Sequence, residues 1–570
     1  MKKSPDKKQG AVHFPDEFGL ANYYLFDRIN EGVGERVAVR YGDRSFTYSD
    51  VAERTRSLAL YLRSIGVARE ERVYTVLPDV PPFAWSFFAT LAHGAVVAMG
   101  NPSSPTGDLA YVLDYIRAAV LITVPRVADE LADALLTKPH LKAVLLVPDV
   151  RTGEDCEGAV DTPGSLRAAR FDVLAMTDAL EIGRRMQDNS LPSVKRDDMA
   201  VWLFTSGSTG RSKAAVHTHR DFAFNTEMYA KRTVGYRADD ITVSVPRLFF
   251  GYATGTNLMF PFAVGATTCL FSERCTPESL ARAIDMYRPT IVTNVPTMLS
   301  KLLDYDDALA GEGRPRLDLS CVRFHLSAGE ALPPTLLERF TERFGNEVYD
   351  GIGSAEMFHI YASNRPGDIK PGSLGRAVEG YTIKILETDA EGPGSAELPR
   401  GETGVMWVKG DSVAVGYFQD RDKSWETFHG HWCRTGDLFR MDEEGYVWFS
   451  GRADSLFKVG GVFVAPLEIE ECLLSHAAVA MAAVIPAEED GLEKPKAFVV
   501  VREGEQSRVT DAGFGAQLRK DLQEHVKKRL SKHKYPRWVV FTDDLPRNDR
   551  GKVDRKVLVE REKQGKNPWK

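Results

Sequence analysis

A run of small residues, Thr205-Ser-Gly-Ser-Thr-Gly210, with a cation three positions on at Lys213, has the makings of a polyphosphate cradle. Gly207 and Gly210 permit positive φ and close backbone approach, so successive N–H groups can converge on anionic oxygens. Thr205, Ser206, Ser208 and Thr209 add hydroxyl donors. A solvated Ser/Gly turn is the plainer alternative. The run is not a Walker A loop, in which Gly directly precedes the Lys and Ser or Thr follows it; here Ser212 precedes and Ala214 follows. Two other patterns invite a metal, His217-x-His219 and His429-x-His431, because each can place two imidazoles on one strand face; without a third ligand nearby, metal binding is not expected. The six cysteines, Cys156, Cys269, Cys275, Cys321, Cys433 and Cys472, form no Cys-x-x-Cys pair, which suggests neither a zinc site nor a disulfide framework.

The elements that must position such a loop follow from periodicity. Ala200 to Phe204 reads as a short buried strand running straight into it. Upstream, Val37 to Tyr41 and Ser45 to Thr47 read as a hairpin around Gly42-Asp43. Thr47-x-x-Asp50 resembles a capping box, Val51, Leu58, Leu62 and Ile65 share one helical face, and Gly66 stands where a helix stops. Strands at Val73 to Leu77, Ala95 to Met99 and Ala119 to Val124 alternate with helices near Phe83 to Leu91 and Leu109 to Ile116. That rhythm implies a layered α/β sheet, since parallel strands need helical crossovers. Residues 150 to 198 read as a variable surface excursion. The rhythm then resumes with strands at Ile241 to Val245, Ala266 to Phe271, Thr290 to Thr293 and Val322 to Ser327. From Tyr381 to Ser450 the pattern turns to short alternating strands, a mostly β subdomain. The tail is α+β, with a helix whose stripe is Phe514, Leu518, Leu522, Val526 and Leu530.

At 570 residues the chain calls for two or more domains. A formal charge of −7 with 27% charged residues provides no basic field for nucleic acid or an anionic membrane. No apolar segment follows the basic N-terminal residues and no run is long enough to cross a bilayer, so a cytoplasmic protein is expected. The oligomeric state is not legible.

Taken together, the glycine-marked loops at strand ends resemble those of the adenylate-forming superfamily of acyl-CoA synthetases, peptide-synthetase adenylation domains and luciferases. Thr205 to Gly210 with Lys213 looks like its phosphate loop, with Ser212 and Ala214 in place of the commoner Pro and Gly. Tyr349-Asp-Gly-Ile-Gly-Ser-Ala-Glu356 resembles the adenine and metal segment, and Trp432-Cys-Arg-Thr-Gly-Asp437 the ribose segment. Gly451-Arg-Ala-Asp-Ser-Leu-Phe-Lys-Val-Gly-Gly461 is similar to the hinge and thiolation loop, and Pro546-Arg-Asn-Asp-Arg-Gly-Lys552 to the catalytic-lysine segment. The resemblance spans nearly the whole chain. It implies a large multi-layer α/β N-terminal domain over residues 1–451, with a β subdomain, and a small mobile α+β C-terminal domain over 452–570.

The implied roles make chemical sense. The phosphate loop and Lys213, with Glu330, Tyr349, Asp350, Gly351, Ile352, Asp437 and Arg452, would bind ATP; Tyr349 offers an aromatic face to adenine, Asp350 an acceptor for its amino group, and Asp437 two oxygens for the ribose hydroxyls. Glu356 with Thr209 would hold Mg²⁺, a hard cation that takes oxygen ligands. Lys552 would bridge carboxylate and α-phosphate as charge accumulates in adenylation. Asp454 would be the hinge that lets Lys552 leave and brings in the Lys458 to Gly461 loop, whose Gly460 and Gly461 let a pantetheine arm of coenzyme A pass close to the backbone. Within the superfamily the chain looks most like the benzoate-CoA ligase branch. The implied acid lining is Gly251, Tyr252, Ala328, Gly329, Gly353, His359 and Ile360, short and flat enough for a small aromatic carboxylic acid. Gly251 stands where benzoate ligases carry Ala, and the missing methyl can admit an ortho substituent such as the amino group of 2-aminobenzoate, met by His359 or Tyr252. A separate carrier protein stays open as the alternative thiol donor.

Overall fold

The computed structural model describes residues 12–206, 211–452, 457–459, 462–489, 492–502, 509, 512–546 and 553–564. The chain divides into two compact units: 1–383 with 407–434 and 444–447, and 384–406 with 435–443 and 448–570.

Two large sheets organise the first unit. One runs in the order Gly416–Tyr417, Ser212–Thr218, Met199–Ser206, Val96–Met99, Arg72–Val76, Ala118–Thr123, Ala143–Leu146, Asp172–Ala175. The other runs Arg376–Ala377, Ile360–Ser363, Glu347–Gly353, Phe324–Ser327, Ile291–Asn294, Ile241–Ser244, Thr267–Leu270, Val37–Tyr41, Arg44–Thr47. Their central strands pair in parallel, as the helical crossovers require. The predicted capping box is present: the Thr47 hydroxyl accepts from Asp50 N–H at 3.0 Å and Thr47 N–H donates to Asp50 at 2.8 Å, starting helix Tyr48–Ser64. Helix Pro81–His93 is buried on every side. Its Trp85 ring lies 5.6 Å from Phe46 and its Phe88 ring 4.9 Å from Phe262, which is why its sequence is apolar all round instead of striped.

The stretch 150–198 is more than a surface excursion. Asp172–Ala175 adds an edge strand parallel to Ala143–Leu146, and helix Met176–Arg184 packs on Tyr48–Ser64 so closely that a Cβ at Gly183 would lie 1.8 Å from Ser57 O.

The mostly β region comprises Thr382–Leu386, Thr403–Lys409, Trp432–Met441 and Phe428–His429, paired in that order, with Val447–Arg452 beside Trp432–Met441. In the second unit, Val479–Glu489, Leu492–Val501 and Trp538–Phe541 form a sheet. Helix Ala512–Arg529 lays Leu518, Leu522 and Val526 into the core that this sheet shares with Ile469 and Leu473. Among the described residues no helix is long and apolar enough to cross a membrane.

Candidate active site

Two paired strands flank the phosphate-loop candidate. Met199–Ser206 pairs antiparallel with Ser212–Thr218, setting Thr205 opposite Lys213. Gly207, Ser208, Thr209 and Gly210 lie outside the described residues, and of Ser206 only the backbone is described. Lys213 forms an ion pair with Asp420 at 2.6 Å, and its Nζ stands 5.9 Å from the Tyr417 ring centroid. The Lys213 hydrogen bond holds the Asp420 carboxyl below the usual carboxylate range. Asp420 is itself fixed as the cap of helix Arg421–Thr427, accepting from Lys423 N–H at 3.3 Å.

Glu356 arrives from the other sheet. Strand Glu347–Gly353 leads into the short turn Ala355–Met357, and there Glu356 Oε1 accepts the Tyr417 hydroxyl at 2.7 Å. Burial, and then the Glu356 charge, raise the pKa of Tyr417, so the hydroxyl stays a donor. Tyr417 therefore touches the carboxylate by its oxygen and lies beside the lysine by its ring. This arrangement fits Mg²⁺: Glu356 offers a carboxylate oxygen next to a phosphate-loop candidate, and Mg²⁺ usually takes only one or two carboxylates and completes its shell with phosphate and water. Among the described residues no group of three His, Cys, Asp or Glu gathers, and the two His-x-His pairs are engaged otherwise. His217 faces Asp221 and Ala355, His219 Nδ1 accepts Leu20 N–H, His429 packs on Trp407, and His431 lies 3.4 Å from Asp411.

On strand Glu347–Gly353, Tyr349 and Asp350 point to opposite faces. The Tyr349 side chain is 2% exposed, with its ring 4.9 Å from Phe324 and its hydroxyl donating to Glu347. Asp350 is buried, and its Oδ1 has no hydrogen-bond partner among the described residues. Burial pushes its carboxyl up to about 8. The folded state thus keeps a proton that the unfolded chain releases near pH 4, so native stability should fall as pH rises through the interval between those values. Melting curves from pH 5 to 8 should show the wild type losing more stability than Asp350→Asn; parallel profiles would refute the assignment. Gly351 and Ile352 pair with Ser363 and Ala362, and a Cβ on Gly351 would lie 2.8 Å from Ala362 O. Glu330 accepts from Thr297 N–H at 3.2 Å and from its hydroxyl at 2.6 Å.

Most of the acid-lining residues converge. Gly251 opens helix Gly251–Thr254; a Cβ there would lie 3.2 Å from Leu203 Cδ1 and 3.6 Å from Phe358 O. His359 Nε2 donates to Tyr252 O at 3.0 Å, and its ring lies 5.3 Å from Tyr252 and 4.8 Å from Phe260. Burial drives the His359 pKa down to about 3, so the ring is neutral and Nδ1 is an acceptor, one without a partner among the described residues. The Tyr252 hydroxyl is likewise buried and unpartnered. A Cβ on Gly353 would meet His359 O at 2.5 Å, and Asn225 Nδ2 holds Ile360 O at 2.8 Å. Ala328 and Gly329 follow strand Phe324–Ser327, whose Ser327 is in register with Asp350.

The other candidates belong to the second unit. Asp437 lies in strand Trp432–Met441, where Thr435 Oγ1 donates to Asp437 O at 3.2 Å. Arg452 ends strand Val447–Arg452, and Lys458 sits in Phe457–Val459, which pairs with Val462–Val464; the side chains of both are outside the description. Asp454, Gly460, Gly461 and Lys552 lie outside the described residues. Sequence reasoning missed Leu203, Tyr417, Asp420 and Gly255, where a Cβ would lie 2.5 Å from His359 Cδ2. Only Asp420 left a local signal, an Asp ahead of a short helix; Gly416–Tyr417 is too short a strand to show a period.

The chain has relatives over nearly its whole length. The benzoate-CoA ligase of Thauera aromatica is 35% identical over 547 residues, covering 96% of each chain. The solved anthranilate CoA ligase AuaEII in complex with anthranoyl-AMP is 29% identical with a TM-score of 0.80, covering 97% of this chain and 98% of that one. A p-hydroxybenzoic acid–AMP ligase of Mycobacterium tuberculosis is 29% identical over 90% of this chain and 64% of its own length. The AMP-binding enzyme model matches residues 26–418 and the AMP-binding enzyme C-terminal domain model residues 468–552. With the paired strands that flank its phosphate-loop candidate, the Lys213–Tyr417–Glu356 cluster and these matches, the chain belongs to the AMP-binding enzyme family.

Proposed function

We propose that this enzyme is an ATP-dependent aryl acid–CoA ligase acting on benzoate or a substituted benzoate such as 2-aminobenzoate. The acid's carboxylate oxygen attacks the α-phosphorus of ATP, the bond to the β-phosphate breaks, and pyrophosphate leaves. The thiol of coenzyme A then attacks the acyl carbon of the aryl-AMP, losing its proton, and AMP leaves. Lys213 and the 205–210 loop orient the departing phosphates. Glu356 and Thr209 would hold Mg²⁺, which supplies charge neutralisation on the phosphates. Asp437 serves the ribose, Asp350 the adenine, and Lys552 the α-phosphate.

The observation that carries the aryl reading is the packing of Tyr252, Phe260 and Phe358 around His359, next to Gly251, which faces Leu203 directly upstream of the phosphate loop. Aromatic rings and a neutral imidazole packed beside glycines suit the flat faces of an aryl acid. The unpartnered His359 Nδ1 and Tyr252 hydroxyl favour a ring with a donor substituent. An acid panel assayed by ATP–pyrophosphate exchange, followed by the product mass with coenzyme A, tests this reading. The relative named as an AMP ligase favours a second reading, loading of a carrier protein; exchange with aryl acids but no CoA thioester would establish it.

Gly251→Ala tests selectivity. The new methyl must push Leu203 by a few tenths of an ångström, so the ratio of kcat/KM for 2-aminobenzoate to that for benzoate should fall about 10-fold, the worth of a methyl-sized change in such a site. An unchanged ratio would remove the role of Gly251.

A further inference from the structure

The turn that carries Glu356 is short and only partly held by its own backbone, through Met357 N–H to Ser354 O at 3.2 Å and His359 N–H to Met357 O at 2.9 Å. Ala355–Met357 is three residues long, the closing bond from Phe358 N–H to Ala355 O is 3.4 Å, and Phe358 sits at φ +67°, a region that side-chain-bearing residues rarely occupy. Each of its carbonyls is also gripped from outside. Ala414 N–H donates to Glu356 O at 2.8 Å, Ser412 Oγ to Met357 O at 2.9 Å, and His217 Nε2 to Ala355 O at 2.6 Å.

The third grip is unusual because it is a fully buried imidazole with a rigid support. His217 Nδ1 lies 3.1 Å from Asp221 Oδ2, with side-chain exposures of 0% and 4%. Asp221 in turn accepts Thr218 N–H at 2.9 Å and the Thr218 hydroxyl at 2.7 Å, in the capping box that opens helix His219–Asn225. A carbonyl only accepts, so Nε2 carries a proton, and Asp221 fixes the ring's orientation. Strand alternation puts His217 on the same face of Ser212–Thr218 as Lys213, while Tyr417, which binds Glu356, pairs with Ala215 between them. One strand thus carries the phosphate-loop cation at one end and the support of the Glu356 turn at the other.

We infer that His217, oriented by Asp221, is a positioning residue that sets the place of Glu356 relative to Lys213, and so the affinity for the nucleotide-bound divalent ion. The inference rests on the reading of Glu356 as a metal ligand. His217 touches neither ion nor nucleotide; it acts through the Ala355 carbonyl.

The test measures Mn²⁺ binding to the full-length enzyme with an unreactive α,β-methylene ATP analogue, by electron paramagnetic resonance of the free ion, alongside thermal melts. His217→Phe keeps a ring and removes both nitrogens; His217→Gln keeps one amide donor for Ala355 O. Mn²⁺ affinity should fall about 10-fold or more in the Phe variant and be partly restored in the Gln variant, the range seen when supports of metal ligands are removed. The preference between benzoate and 2-aminobenzoate should not change. If Glu356→Gln weakens Mn²⁺ binding while folded His217→Phe binds as wild type and only melts earlier, His217 is merely structural and the inference is overturned. If Glu356→Gln itself leaves Mn²⁺ affinity unchanged, the metal role of Glu356 fails and the inference falls with it.

Discussion

Lys552→Ala is expected to slow formation of the aryl-adenylate by roughly 10²- to 10³-fold or more, the effect of deleting one preorganised electrostatic group. Adenylation drives a carboxylate into a polyphosphate and adds negative charge at the α-phosphate as it proceeds. A cation held between the two groups stabilises that arrangement far more than it stabilises the separated reactants, so the loss should appear in kcat as well as in kcat/KM. Thioester formation from pre-made aryl-AMP develops no such charge at phosphorus and should be largely spared. Single-turnover assays of the two half-reactions separate the cases, and an equal fall in both would show that Lys552 does something other than bridge the anions.

The second large effect is expected at Glu356. Glu356→Gln keeps an oxygen that can accept the Tyr417 hydroxyl, whose bond to the carboxylate is 2.7 Å, so the turn should keep its shape. What disappears is one negative charge where a divalent cation would sit beside the triphosphate. Adenylation should fall about 10²-fold, comparable with other electrostatic deletions, and the Mg²⁺ concentration for half-maximal pyrophosphate exchange should rise. Tyr417→Phe offers a graded comparison, since it leaves the charge and removes the hydrogen bond that orients it. An unaltered Mg²⁺ dependence in Glu356→Gln would rule out coordination by this carboxylate.

What could be read from the sequence was local. The Thr47 and Asp50 cap, the Leu58 and Leu62 stripe, and the buried strand before Thr205 each follow from bonding or burial within a few residues, and each is found in place. The edge strand Asp172–Ala175 was not legible, because its apolar run is only three residues long and only the last of them is buried. Nor were the pairings that assemble the site. Leu203 with Gly251, Lys213 with Asp420, His217 with Ala355 and Tyr417 with Glu356 join residues far apart in the chain, and no helical or strand period connects them. The candidates themselves could be named only through the family resemblance. Tyr349 shows its limit: the motif marks the residue, but strand alternation decides which face it occupies, and here the ring packs on Phe324.

The crowding of His359 has a consequence for redesign toward bulkier acids. A side chain at position 255 would press on the imidazole, with Cβ 2.5 Å from Cδ2, and one at position 353 would strike its carbonyl at 2.5 Å. With the Phe260 ring on a third side, that residue is boxed in. Mutant libraries that randomise 255 or 353, or count on the imidazole swinging aside, should therefore return mostly unfolded clones. Leu203 is the deformable boundary: its flexible methyls, not backbone, are what a larger group near Gly251 would displace. Shortening Leu203 to Val or Ala is the economical first mutation for widening the acid repertoire.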